Sequence, residues 1–173
     1  MVQITHSVPE NCHMIERIGQ YSKRVNSESN GPIDLSIAFD LRRRQPRPVV
    51  EAILALARHA PARDRGIIAA IFEDGRSLNE IALASGEHPR VIARRYRRAI
   101  ARIIEPRYAF VAGARDTWPD RRRLVATLYF LCGHTIRDIA RRLALTEHAV
   151  RREIAVVDVL FDEFTQHQSA GTA

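Results

Sequence analysis

Lysine is almost missing from this chain. Of 27 Lys+Arg residues, all but Lys23 are arginine. Cysteine is scarce as well. Cys12 and Cys132 have no C-x-x-C spacing, which argues against a disulfide framework and for a reducing compartment. No apolar run approaches the roughly 20 residues of a membrane span. The start, Met1-Val2-Gln3-Ile4-Thr5-His6, has neither a charged n-region nor an apolar h-region. The expectation is a cytoplasmic protein with no membrane partner. Glycine-rich phosphate loops, nucleophile elbows and H-E-x-x-H helices are absent. The histidines are scattered, with no His/Cys/Asp cluster at ligand spacing. The chain therefore reads as a non-enzyme, with no catalytic residues, no metal and no cofactor.

What the chain does have is one unit written twice, 58 positions apart and without a gap. Pro48 meets Pro106, Pro61 meets Pro119, Arg63 meets Arg121 and Arg65 meets Arg123. Phe72 meets Phe130, Gly75 meets Gly133, Ile81-Ala82 meets Ile139-Ala140, and Arg94 meets Arg152. A fixed period of this length marks a duplicated supersecondary unit. Four divisions follow: an N-terminal segment with a basic arm (1–47), a first unit (48–105), a second unit (106–165) and a disordered tail (166–173).

Charge is concentrated in the first unit and the segment leading into it. Residues 42–107 carry 15 Lys+Arg against 7 Asp+Glu, a net of +8, whereas the whole chain carries +7. An excess confined to one stretch points to a polyanion partner. Arginine suits that role because its planar fork bonds phosphate or guanine with two N–H groups.

Each unit parses as four helices. In the first they span about 48–59, 63–73, 77–84 and 89–104; in the second, about 106–116, 120–131, 136–143 and 147–160. Ser77-Leu78-Asn79-Glu80 is a capping box, and Thr135-Ile136-Arg137-Asp138 matches it with the shorter acid. Gly86 permits the turn between the last two helices of the first unit, Pro89 suits the first position of the helix that follows, and Thr146 is placed to cap its counterpart. Before the units, residues 9–25 read as a helix and 26–32 as a linker. The alternating Ile33, Leu35, Ile37, Phe39 and Leu41 fit a strand, or a helix using Ile37 and Leu41. The fold class is thus all-α: two tandem helix-turn-helix units preceded by an N-terminal helical segment.

The short helix, tight turn and longer helix have the spacing of a helix-turn-helix, whose second helix lies in the major groove. The chain also resembles a known family. Ala60-Pro61-Ala62-Arg63-Asp64-Arg65, then Phe72-Glu73-Asp74-Gly75-Arg76-Ser77-Leu78-Asn79-Glu80-Ile81-Ala82, then Ile92 through Ala99, are similar to region 4 of bacterial sigma factors and related sigma-like regulators. The second unit, from Trp118-Pro119-Asp120-Arg121 onward, resembles it more weakly, with Ala144 where the turn glycine belongs. No segment looks like the sigma region that melts promoters, so a complete sigma factor is not expected.

The resemblance implies that the outward face of each last helix reads base edges. In the first unit that face is Arg90, Ala93, Arg94 and Arg97, flanked by Arg95, Arg98 and Arg102, with Ile92, Tyr96, Ala99, Ile100 and Ile103 buried. In the second it holds Glu147, His148, Arg151, Arg152 and Ala155. Ser77 and Thr135 are caps that can present backbone N–H groups to phosphate, His88 and His148 sit near the same faces, and Arg42, Arg43 and Arg44 form a basic arm. The expected partner is double-stranded DNA, and the expected role a transcription regulator. Two alternatives stand beside it. One is a sigma-like module that binds RNA polymerase or another protein. The other is a packaging or recombination accessory protein of a phage or mobile element. The second unit either enters a groove or packs against a partner, including a second copy in a homodimer.

Overall fold

The structure is a computed structural model that describes residues 47–170, with side chains to His167. The expectations for residues 1–46, including Arg42, Arg43 and Arg44, lie outside the described residues. Every regular element described is helical: α1 (Arg47–Ala57), α2 (Ala62–Phe72), α3 (Leu78–Ser85), α4 (Pro89–Ile103), α5 (Pro106–Ala114), a 3-10 turn (Arg115–Thr117), α6 (Asp120–Ala126), α7 (Ile136–Leu143) and α8 (Glu147–Ala170). One π-helical turn, Thr127–Leu131, continues α6.

The punctuation repeats in three dimensions. Pro61 and Pro119 open α2 and α6 with near-identical backbones, φ/ψ of −51/143° and −55/145°. Gly75 and Gly133 follow those helices at φ +72° and +71°, a region that costs glycine nothing. At each, the next amide reaches back to close the helix end: Arg76 N–H to the Ala70 carbonyl and His134 N–H to that of Leu128, both at 2.9 Å.

Two features depart from the expected boundaries. The helix placed at 147–160 continues to Ala170, so a disordered tail does not begin at 166. Val157, Leu160, Phe161 and Phe164 explain the extension: they recur at helical spacing and pack into the core. The polar run from Gln166 simply rides on a helix that packing already stabilises.

The repeats also share their largest core. It joins α1–α5 to Ala126, Leu131, Val157 and Phe161, and a smaller cluster of Val125, Ile139, Ala140, Val150 and Ile154 holds α7 to α8. Phe130 packs against both. The buried Tyr108 on α5 donates its hydroxyl to the Leu56 carbonyl on α1 at 3.2 Å. Phe110 gathers Trp118, Phe161 and Phe164 at centroid distances of 5.8, 5.5 and 5.1 Å, which packs the half-buried Trp118 against this core. Polar contacts cross the same joint. Arg115 Nη2 bonds His59 Nδ1 at 3.2 Å. Arg107 Nε donates to Asp158 at 2.9 Å while its guanidinium lies over the Phe161 ring.

Two predictions test this scaffold. Gly86 closes α3 at φ +67°, but its counterpart Ala144 closes α7 at φ +52°. A left-handed alanine is strained by roughly 1–2 kcal/mol, partly offset by the entropy glycine brings to the unfolded chain. Ala144→Gly should therefore raise unfolding stability by about 0.5–1 kcal/mol in urea; a loss would show the residue is not held left-handed.

The second concerns His59. Burial, then the Arg115 guanidinium, hold it below its ordinary value of 6.5, against a weaker pull from Asp116. The unfolded chain then takes up this proton at higher pH than the folded one. The contribution of neutral His59 is complete above about 6.5 and is lost as pH falls through the lower folded value. Thermal unfolding should move to lower temperature between about pH 7.5 and 5.5, and His59→Gln should flatten that dependence. The same slope in the variant would assign it to other groups.

Candidate nucleic-acid interface

The site is built from the residues that fix α3 against α4. Ser77 accepts the Glu80 amide at 3.2 Å, and Glu80 Oε2 accepts the Ser77 amide at 2.6 Å and its hydroxyl at 2.9 Å. These bonds hold the Glu80 carboxyl below the usual range, the Ser77 amide contributing most. Thr135 does the same for Asp138, accepting its amide at 3.2 Å. Asp138, one methylene shorter, takes the Thr135 hydroxyl at 2.7 Å. Ser77 and Thr135 are therefore caps whose hydroxyls are already engaged.

Gly86 then turns the chain, and its amide reaches back to the last carbonyls of α3. His88 is the N-cap of α4, its Nδ1 accepting the Arg90 amide at 3.1 Å, with Pro89 in the first turn. His88 is thus a positioning residue at the edge of the face rather than a free side chain on it. In the second unit Thr146 performs this task, accepting the Ala149 amide at 3.1 Å.

The buried stripe of α4 is Ile92, Ala93, Tyr96, Ala99, Ile100 and Ile103. Ala93 was expected on the reading face; the structure buries it to 2% exposure. At 100° per residue it lies one turn before Tyr96 and two before Ile100, at the edge of the apolar stripe. What remains outward is Arg90, Arg94, Arg97 and Arg98.

The flanking arginines divide. Arg95 is drawn down by Glu87 at 2.8 Å, and Glu87 also holds Arg63 at 3.1 Å. Arg102 turns to the joint between the units, where Nη2 meets Asp64 on α2 at 2.6 Å and the guanidinium lies against Gly133 of the second unit, close enough to clash with any Cβ there. Neither belongs to the outward face. Sequence reasoning missed Glu87 because its two partners lie 24 and 8 positions away. No carboxylate among the described residues lies within 4 Å of Arg90, Arg94, Arg97 or Arg98. The charge on this side of α4 is left uncompensated there.

The second unit differs. Position 153, the counterpart of Arg95, is Glu153, which is 8% exposed and sits between Arg121 at 3.5 Å and Arg122 at 3.3 Å. Arg151 is paired with Glu147 at 2.7 Å. Arg152 and His148 are exposed. The predicted residues of the two units therefore form two separate faces of different charge.

Among the described residues no group of His, Cys, Asp and Glu could hold a metal, and no helix is long and apolar enough to cross a membrane. The chain matches no family model, no curated protein and no solved structure.

Ala93→Leu separates core from face. Overpacking should cost about 1–3 kcal/mol in urea unfolding, whereas Arg94→Ala should stay within about 0.5 kcal/mol. Equal, small effects would return Ala93 to the surface.

Proposed function

We propose that the chain is a double-stranded DNA-binding transcription regulator that lays the outward face of α4 in the major groove. The observation that supports this most is the run of four exposed arginines on a capped, well-packed helix, with no carboxylate among the described residues beside them. Arg90–Arg94, Arg94–Arg97 and Arg94–Arg98 are like-charge pairs at helical neighbour spacing, each unfavourable by about 0.2–0.5 kcal/mol. A polyanion relieves that repulsion, and the groove places guanine O6 and N7 where a guanidinium donates two bonds. Arg90 and Arg94, near the start of α4, take base edges; Arg97 and Arg98 take phosphate. Transcription as the process rests on the resemblance to sigma region 4.

A second reading is a module that docks on RNA polymerase or another protein. Leu83 favours it: this residue of α3 is 86% exposed, unusual for a leucine on a folded helix. The two readings separate on naked duplex. Some six phosphate contacts should cost about a thousandfold in affinity between about 50 and 200 mM salt. Arg94→Ala should cost about 1–3 kcal/mol on a selected site and less on random duplex. Equal losses on both would move Arg94 to phosphate, and no measurable binding at low salt would favour the protein partner.

A further inference from the structure

The outward face of α8 is complementary to itself. His148, Arg152, Ala155, Val159, Asp162 and Gln166 recur at alternating steps of four and three residues, and all are exposed. That spacing keeps one stripe of a helix turned toward a partner helix. Val159 stands 56% exposed in its middle, beside the small Ala155. Its apolar centre has arginine toward one end and carboxylates toward the other.

Set antiparallel on a second copy, with the two-fold axis beside Val157, the layers are complementary: apolar on apolar at the centre and opposite charges outside it. Ala155 meets the partner's Val159, Arg152 meets the partner's Asp162, and His148 meets the partner's Gln166. A parallel pairing would instead set each charge against its own kind. The first unit supplies the contrast. The same stripe 58 positions earlier reads Arg90, Arg94, Arg97 and Ala101, which no copy of itself can complement. The buried Glu153 removes one further cation from the α8 version.

We propose that α8 is the seam of a symmetric homodimer, in which a second copy of this chain docks antiparallel along the stripe His148–Gln166 and leaves α4 of each copy free. A two-fold axis makes such an interface isologous, so one set of complementary residues serves both copies. The seam stands apart from the DNA reading and is measured without DNA.

The test is sedimentation equilibrium of the full chain at low salt, with circular dichroism confirming that each variant keeps its helix content. The wild type should be dimeric at about 0.1 mM, and Val159→Asp should be monomeric. Arg152→Asp and Asp162→Arg should each weaken self-association more than about tenfold, because each sets like charges together twice across the axis. Mixed one to one, the two variants should recover a stable dimer. In that pair the new carboxylate meets the new guanidinium, and the original Arg152 and Asp162 meet across the other half. A monomeric wild type, a dimer that neither variant weakens, or a mixture no tighter than its components would each overturn the seam.

Discussion

Ala82 and Ala93 are 1% and 2% exposed on the facing helices α3 and α4, and the use of the exposed surface depends on that burial. A helix offers about 100° of apolar stripe to its neighbours. Once Ile92, Ala93, Tyr96, Ala99, Ile100 and Ile103 fill it, the remaining side chains have one direction left. The capping box at Ser77, the left-handed Gly86 and the His88 cap then set where α4 begins. Arg90 and Arg94 are presented by rigid helix rather than by a loop, a condition for reading base edges through bidentate bonds.

The two units share this frame and diverge in charge. Arg95 gives way to Glu153, and both positions end in contact with an arginine of the second helix or with the acid that bridges to it. The Arg63–Glu87–Arg95 arrangement needs an acid in the turn. The Arg121–Glu153 arrangement brings that acid onto the helix itself and lowers its positive charge. The units thus share the turn glycines Gly75 and Gly133 and the caps Ser77 and Thr135, while their outward faces differ, one all-cationic and one of mixed sign. The shared core ties them together: α5 opens the second unit by sequence, yet Tyr108 and Phe110 pack it between α1 and α8.

Local signals were legible in the sequence wherever one residue settles one backbone choice. Pro61, Pro119, Gly75, Gly86, Gly133 and the caps at Ser77, Thr135 and Thr146 place the helix ends close to where the structure has them. Ile81, Ala82, Ile139 and Ala140 were legible as core for the same reason, since the turn spacing leaves them no other side. Pairings across long separations were not legible. Nothing in a linear reading says that Arg102 turns to Asp64 and Gly133, or that Glu87 holds Arg63 and Arg95. Ala93 was misplaced because alanine is compatible with either side of a helix, and the crossing geometry decides. The extent of α8 was misjudged on the composition of its last turns, although Phe161 and Phe164 carried the periodicity onward.

In the proposed function, the arginine face of α4 enters the major groove. Methylation interference on a bound duplex addresses it directly, because guanine N7 lies in that groove and adenine N3 in the minor one. N7 methylation within the site is expected to prevent binding, and N3 methylation to leave it intact. Binding that tolerates N7 methylation throughout the site would contradict that placement.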